Sequence, residues 1–525
     1  MSFELFVIQK FIIQKMLNIS QLLTRNARYR PNHLAFVFNK KRLTYSEFNA
    51  SVNQLCHAFL AIGITKGSKV STLLPNSFEL YETYWACAKI GAVCVPNSPM
   101  LRGSGLVNLL NDSDTDLVIS NQSLMPYIDE VMSQLNSKNF WLIDSVSDNY
   151  NNYHQQKETQ LNTEPPRIEI HPHDPYNIMY SSGTTGLPKG IVISHQVRAL
   201  YGSLFANYFR MTPESIVMHS GSIVFNGSFL TLIPVMFVGG TYILLDHFDP
   251  HAVTEVIKNE KVTHTILVPS QIVSCLNVEE FKQENLKSLA YILSVGAPLL
   301  LEHKEELDRR IPNIFYELYG LTEGFMTILD KTEFRKKAGS VGAAPQLMEI
   351  KIVDDFGNEL PEGKIGEIVG KSPLLMTEYY KNPIKTAKVI QDGWLITGDV
   401  GYLDEDGYLF LTGRKKDLII SGGVNVYPID IEEVIARHPG VQDVSVFGIN
   451  HDEWGETPIA AVILKNGFFL ETHEIKKFAN DNLEARYQKV TDIFFVADFP
   501  KNVAGKVLKR ELKENYSNGI FTEKN

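Results

Sequence analysis

The sequence predicts an α/β protein. A large N-terminal domain of α/β layers carries a β-barrel-like subdomain and is followed by a small α+β C-terminal domain. Three observations predict this. Between Lys69 and Ile143, short apolar runs alternate with helical patterns, the order expected of layers on largely parallel sheets. From Glu349 to Gly413 the runs shorten and are punctuated by Asp-Gly turns, Asp354-Asp-Phe-Gly357 and Asp404-Glu-Asp-Gly407, as antiparallel hairpins require. After Gly413, helical and extended patterns alternate again over the length of one small domain.

Each element has its own local reason. Leu43-Thr-Tyr-Ser-Glu47 precedes a helical pattern, with Ser46 as the expected N-cap for Phe48 to Ile62. Lys69 to Leu74 reads as a strand, Phe78 to Ile90 as a helix and Ala92 to Val95 as a strand, and the order recurs at Asp116 to Ser120 and Phe140 to Ile143. Asn149 to Pro166, rich in Asn, Gln, Thr and Pro, reads as a surface loop. Ser215 to Leu245 is uncharged, but His219, Asn226, Pro234 and Gly239-Gly240 interrupt it. It lacks an unbroken stretch of about 20 apolar residues, so it reads as buried helix and strand. Helix Val253 to Glu260, strand Thr263 to Val268, a helix near Gln271, strand Tyr291 to Ser294 and helix Leu300 to Arg309 continue the alternation. In the last unit a helix opens near Pro428, followed by strands Val441 to Ile449 and Ile459 to Leu464, helix Thr472 to Asn482 and strand Asp492 to Val496. No internal repeat is visible.

Composition narrows the function. The chain has 525 residues and a net charge of −10, which gives no general attraction to nucleic acid or to an anionic membrane. A polyanionic ligand must therefore be held by local charge. Four cysteines, Cys56, Cys87, Cys94 and Cys275, are scattered without metal or disulfide spacing, which fits small buried apolar residues in a reducing cytoplasm. The apolar segment Met1 to Lys15 has no basic start and no small-residue cleavage site, and Lys10 and Lys15 interrupt it. It is expected to be a helical surface extension rather than a signal peptide or membrane span, with Met16 as an alternative start.

The chemistry concentrates in Tyr180-Ser-Ser-Gly-Thr-Thr-Gly-Leu-Pro-Lys-Gly190. Serine and threonine supply hydroxyl donors, Gly183 and Gly186 let backbone approach a ligand, turned N–H groups make an anion nest, and Lys189 adds a point charge suited to phosphate. The spacing is not that of a Walker A loop. Lys189 follows Pro188 and leads into a strand, Gly190 to Ser194, whereas Asn177 to Tyr180 is extended before it. The loop therefore joins two strands. A flexible linker is the plain alternative, and the exit through Pro-Lys-Gly into an apolar strand argues against it.

Four further segments follow: Tyr319-Gly-Leu-Thr-Glu323, Thr397-Gly-Asp399, Gly413-Arg-Lys-Lys-Asp-Leu-Ile-Ile-Ser-Gly-Gly423, and Pro500-Lys-Asn-Val-Ala-Gly-Lys-Val-Leu-Lys-Arg510. Singly, each has an ordinary reading as a cap, a turn, a solvated basic run or a surface lysine. In this order, from about Leu43 to Leu512, the set resembles the adenylate-forming superfamily of acyl-CoA synthetases, luciferases and peptide-synthetase adenylation domains, closest to free-standing acyl-CoA ligases.

The resemblance implies roles by position. Ser181, Ser182, Gly183, Thr184, Thr185, Gly186 and Lys189 would hold the β- and γ-phosphates of ATP. Thr184 and Glu323 would bind Mg²⁺, and Thr322 would contact the α-phosphate. Gly296, Ala297 and Pro298, with Glu317, Tyr319 and Gly320, would flank adenine. Asp399 and Arg414 would hold the ribose hydroxyls. Lys506 would be the catalytic lysine, with Thr322 and Glu323 beside it in the chemistry. Residues 1–413 would form the adenylation domain and 414–525 a mobile domain carrying Lys506, with Lys416 as the hinge. Phe225, Phe325 and Met326 are pocket candidates, and their apolar character suggests an apolar acyl or aryl tail. Many relatives carry histidine where Phe225 stands, and phenylalanine cannot donate a hydrogen bond. The same segment has no Asp for an α-amino group, and His219 reads as structural.

The expected reaction is ATP-dependent activation of a carboxylic acid to an acyl-adenylate, then transfer to coenzyme A. The alternative sends the acyl group to a separate carrier protein, because no carrier domain is read after Arg510. A relict nucleotide-binding protein is the non-enzymatic alternative, opposed by the retention of Lys506, Asp399 and Glu323. Expected partners are the acid and coenzyme A, with no nucleic acid, no transmembrane segment and at most weak peripheral membrane contact.

Overall fold

The computed structural model describes residues 17–181, 189–483, 485–501 and 507–520. The chain forms two compact units. One comprises the residues up to Val295 together with Leu321–Phe325 and Ser372–Ile390, and the other comprises Gly296–Gly320, Met326–Lys371 and the chain from Gln391 onward.

The first unit is built on α/β layers. One sheet has the strand order Glu378–Tyr379, Lys189–Ser194, Pro175–Ser181, Val93–Asn97, Lys69–Leu73, Thr115–Ser120, Asn139–Leu142, Asn151–Asn152. It is parallel from Pro175–Ser181 outward to Asn151–Asn152, and antiparallel where Pro175–Ser181 turns back into Lys189–Ser194. A second set runs Tyr291–Val295, His264–Leu267, Ile216–His219, Thr241–Leu244 and Leu34–Phe38 in parallel, with Lys41–Thr44 antiparallel at its edge. Their β-branched, apolar sequences suit strands covered on both faces.

The helix Phe78–Ile90 is central to this unit. Ser77 caps its N-terminus by accepting from the Leu80 N–H, and Gly91 ends it at φ 72°. All of its residues except Glu79 are buried, including Glu82 and Lys89. Buried charges require partners, and both partners come from the segment read as a surface loop. That reading is corrected over residues 151–158, whereas 159–166 is irregular and largely exposed, as expected of a surface loop. Asn151–Asn152 is a strand, Tyr153–Glu158 is a helix, and Tyr153 and Lys157 are buried. Lys157 Nζ lies 2.6 Å from Glu82 Oε1, and the Tyr153 hydroxyl donates to Glu82 Oε2 at 2.6 Å. Downstream, Glu164 accepts from Lys89 Nζ at 2.9 Å. Composition sees polar residues, but it does not see that Glu82 on a distant helix draws Tyr153 and Lys157 into the interior.

A smaller correction concerns the helix Tyr45–Ala61. Its N-cap is Thr44, not Ser46, because Thr44 and Glu47 form a reciprocal capping box. The helix His195–Tyr208 was not read from sequence at all. The uncharged stretch resolves into strand Ile216–His219, helix Phe229–Val238 and strand Thr241–Leu244, as expected of buried elements. The four cysteines are buried and free. Among the described residues no helix is long and apolar enough to cross a membrane. The segment Met1 to Lys15 lies outside the described residues.

The second unit contains the antiparallel pair Phe315–Gly320 and Met326–Leu329. It also contains an antiparallel sheet ordered Glu349–Val353, Gly366–Lys371, Trp394–Leu403, Leu409–Arg414. Beyond this, Gly455–Leu464 pairs antiparallel with Val441–His451 and parallel with Asp492–Phe495, flanked by helices Pro428–Ala436, Thr472–Asn482 and Lys509–Ser517. Its apolar core gathers Ile419, Val426, Ile431, Ile435, Val446 and Ile475, with Leu300 packed against it. The fold is the mixed α/β architecture expected, with a large N-terminal domain and a small C-terminal one.

Candidate active site

In the first unit, the predicted phosphate loop joins the two antiparallel strands Pro175–Ser181 and Lys189–Ser194, with Ser181 opposite Lys189. Gly190 is needed there because a Cβ would meet Ile178 Cγ2 at 2.9 Å and the Tyr180 ring at 3.0 Å. Ser182, Gly183, Thr184, Thr185 and Gly186 lie outside the described residues.

The short strand Glu378–Tyr379 pairs with Lys189–Ser194, Tyr379 opposite Ile191, and Tyr380 N–H donates to Gly190 O at 2.7 Å. This places the Tyr379 ring 5.1 Å from Lys189 Nζ and 5.8 Å from Lys385 Nζ. The Tyr379 hydroxyl donates to Glu323 Oε1 at 2.6 Å. Burial first, and then the Glu323 carboxylate, push the Tyr379 phenol well above its ordinary value, so it remains a donor. Partial burial followed by Lys189 lowers the Lys385 ammonium, an effect Glu323 opposes.

Glu323 sits in a tight turn in which Leu321 N–H donates to Phe325 O and Gly324 N–H donates to Leu321 O. Gly324 has φ 109°, and a Cβ there would lie 1.9 Å from Leu374 O. Only glycine allows that approach. Met376 N–H completes the clamp by donating to Glu323 O at 2.7 Å. Two cations, a carboxylate and a phenol thus converge at the start of the strand Lys189–Ser194. Thr322 and Glu323 are both half-buried on this turn. Lys189, Thr322 and Glu323 are candidates from the sequence, whereas Tyr379 and Lys385, which the structure brings next to Lys189 and Glu323, are not among the sequence candidates. Their signal is strand pairing between segments far apart in sequence.

In the second unit, Tyr319, Asp399 and Arg414 come together. Asp399 and Arg414 are cross-strand partners on the antiparallel strands Trp394–Leu403 and Leu409–Arg414. Arg414 Nε lies 3.0 Å from Asp399 Oδ1, and the Tyr319 hydroxyl donates to Asp399 Oδ2 at 2.8 Å. Gly398 turns the chain at φ 73°, and Asp399 N–H donates to Thr397 Oγ1 at 3.0 Å. Burial, with Asp399 second, raises the Tyr319 phenol far above its ordinary range. Gly296, Ala297 and Pro298 form an exposed loop, with Gly296 at φ 99°, and Gly320 is exposed at the end of its strand. The Glu317 side chain is committed elsewhere. It is buried and accepts from Lys304 Nζ at 2.5 Å.

Among the pocket candidates, Phe225 is half-buried before the turn Asn226–Ser228, whereas Phe325 and Met326 are buried. His219 is buried, and burial holds its imidazole down to about 4, in keeping with a structural residue. Lys416 is exposed on the single turn Lys415–Asp417. Lys506 lies outside the described residues. Among the described residues no His, Cys, Asp and Glu cluster could hold a metal by itself.

Comparison with known proteins gives this geometry its context. Residues 23–380 match the AMP-binding enzyme family, and residues 430–506 match the AMP-binding enzyme C-terminal domain. The long-chain-fatty-acid–CoA ligase FadD13 of Mycobacterium tuberculosis is 32% identical over 96% of this chain and 99% of its own. The fatty acid–[acyl-carrier-protein] ligase ScoC of Streptomyces coeruleorubidus is 30% identical over 94% of this chain and 95% of its own. The crystal structure of ATP-bound MatB from Rhodopseudomonas palustris superposes with a TM-score of 0.88 at 28% identity, covering 96% of this chain and 100% of that one. The chain therefore belongs to the adenylate-forming AMP-binding enzyme family and is an AMP-forming acid–thiol ligase.

Proposed function

We propose that this enzyme activates an acid with an apolar or aryl body to its acyl-adenylate and passes the acyl group to coenzyme A. A carboxylate is a poor acyl donor because its oxygen leaves poorly. Attack on the α-phosphate of ATP converts it into an adenylate whose leaving group is AMP. Charge then builds on the α-phosphate and on the departing pyrophosphate, so catalysis rests on donors and cations held in place beforehand. The observation that carries the reading is the convergence of Lys189, Lys385, Tyr379 and Glu323, with Lys189 closing the hydroxyl-rich segment of the sequence.

In this reading Lys189 and the loop residues Ser181 to Gly186 hold the leaving phosphates, and Thr322 contacts the α-phosphate. Mg²⁺, a hard cation that takes oxygen ligands, would be held by Glu323 with Thr184, and it would neutralise phosphate charge. Glu323 fits because its carboxylate is oriented by Tyr379 rather than spent on a cation within 4 Å among the described residues. The Tyr319–Asp399–Arg414 group takes the nucleoside, Asp399 accepting from ribose hydroxyls, with Gly296, Ala297, Pro298 and Gly320 lining the base. Glu317 contributes through its backbone, since Lys304 holds its side chain. Lys506 supplies the cation at the α-phosphate. Residues 414–525 form the mobile domain, with Lys416 at its hinge. Phe225, Phe325 and Met326 belong to the acyl side. The buried free thiols support a reducing, cytoplasmic location.

A second acceptor has one specific support, the likeness to ScoC, whose acceptor is an acyl-carrier protein. The test is acceptor competition. With ATP, Mg²⁺ and an active acid, thioester should form on coenzyme A at a kcat/KM at least tenfold above that for phosphopantetheinylated carrier protein. Exclusive loading of the carrier would reverse the assignment.

A further inference from the structure

Arg198 lies on the helix His195–Tyr208 and is completely buried. No carboxylate among the described residues pairs with it. Its Nε and Nη2 donate to Asn177 Oδ1, both at 3.3 Å, and Nη2 donates to Asn226 Oδ1 at 2.8 Å. The guanidinium carbon lies 4.0 Å from the centre of the Phe229 ring and 4.9 Å from that of Tyr201. Nη1 is buried without a hydrogen-bond partner. Neutral amide oxygens and ring faces therefore surround a cation that cannot lose its proton at any ordinary pH.

An uncompensated buried charge is costly, and an arginine with a spare N–H edge is the side chain best shaped to accept a carboxylate. Its surroundings say which carboxylate. Asn177 belongs to the strand that runs into the phosphate loop, and Asn226 follows Phe225 in the acyl segment. Arg198 thus links the phosphate side to the acyl side, behind walls made by Phe229 and Tyr201.

We infer that Arg198 is the specificity residue for a second carboxylate at the far end of the acid. The substrate class is then a dicarboxylic acid: one carboxylate attacks ATP, the aromatic walls cover the carbon body, and Arg198 receives the other end. This rests on the acid-activating reading above. It deepens that reading by giving the apolar body a charged terminus.

The experiment compares dicarboxylic acids of graded length with their own mono-methyl esters, which keep size and remove the distal charge. Acid-dependent pyrophosphate release by the full-length enzyme gives kcat and KM for each. At the best length, the diacid should exceed its half-ester in kcat/KM by about 10²-fold or more, because an unmet hydrogen-bonding group rejects the analogue. Arg198→Lys should keep part of that preference. Arg198→Met should abolish it, mostly through KM for the diacid, while the half-ester gains. A wild type that turns over half-esters or plain monoacids as well as diacids at every length overturns the inference and leaves the ligase reading standing. So does an Arg198→Met enzyme that loses both substrates in equal proportion at unchanged melting temperature. No AMP and pyrophosphate from any acid in either series overturns both.

Discussion

The Tyr379 hydroxyl donates to Glu323 Oε1 at 2.6 Å while its ring lies 5.1 Å from Lys189 Nζ. One side chain thereby fixes the carboxylate assigned to Mg²⁺ and borders the cation assigned to the leaving phosphates. Tyr379→Phe keeps the ring and removes the donor. It should raise the Mg²⁺ concentration for half-maximal adenylation by about tenfold, the scale of one hydrogen bond to a charged group. Lys189 function should persist. A Mg²⁺ titration of pyrophosphate release measures this, and an unchanged midpoint would remove Tyr379 from the site.

The nucleoside group makes a separate prediction. Asp399→Asn keeps shape and weakens both the Arg414 ion pair and the acceptor proposed for the ribose hydroxyls. KM for ATP should rise about tenfold or more, with KM for the acid nearly constant. Equal effects on both constants would show a general structural role.

On the proposed assignment, the two half-reactions need different placements of Lys506, against the α-phosphate for adenylation and out of the thiol's path for transfer. Lys506→Ala should slow adenylation by about 10²-fold or more, as loss of an oxyanion donor does, and spare thioester formation from supplied acyl-adenylate. Lys416→Pro should do the reverse, because proline fixes φ and removes an N–H at the proposed hinge. Single-turnover measurement of each half-reaction separates the two. Equal loss of both steps in either folded variant would contradict the assignment.

The buried pair Lys157–Glu82 predicts a stability effect. Lys157→Met leaves Glu82 buried with only Tyr153 and Ser51 as donors, and should cost about 3 kcal/mol in urea unfolding. Adding Glu82→Gln should recover a large part of the loss. A neutral single variant would mean that the 153–164 segment docks without this pair.

Acid stability follows from buried neutral histidine. Burial lowers His219 to about 4 from an ordinary 6.5, and lowers His195 to about 3. Below pH 6.5 the unfolded chain binds protons that the folded chain refuses. Stability is therefore full above 6.5 and declines as pH falls through the window from 6.5 to about 4, by roughly 3 kcal/mol for His219. His219→Gln should flatten that slope in urea unfolding measured across the window, and an unaltered slope would contradict the assignment.

Much of this was legible in the sequence because it depends on local patterning. The helix Thr472–Asn482 falls where its pattern placed it, and the two strands around the phosphate loop follow from Asn177 to Tyr180 and Gly190 to Ser194. What escaped depends on contacts between distant segments. Tyr379 reaches Glu323 only because Glu378–Tyr379 pairs with Lys189–Ser194. Tyr153 and Lys157 looked solvated because their partner, Glu82, lies 71 and 75 positions away. Arg198 gave no local sign of burial, since a helix sequence does not show what covers it. Thr44, by contrast, was readable. The Thr-x-x-Glu spacing is present, and the expected cap at Ser46 falls two residues too late.

The central claim is attack at the α-phosphate of ATP by a carboxylate before any thiol takes part. Acid-dependent exchange of labelled pyrophosphate into ATP, measured without coenzyme A, tests it most directly. The account predicts exchange that requires both the acid and Mg²⁺, with AMP as the nucleotide product once coenzyme A is added. Acid-dependent formation of ADP and orthophosphate, with no exchange of pyrophosphate, would contradict it.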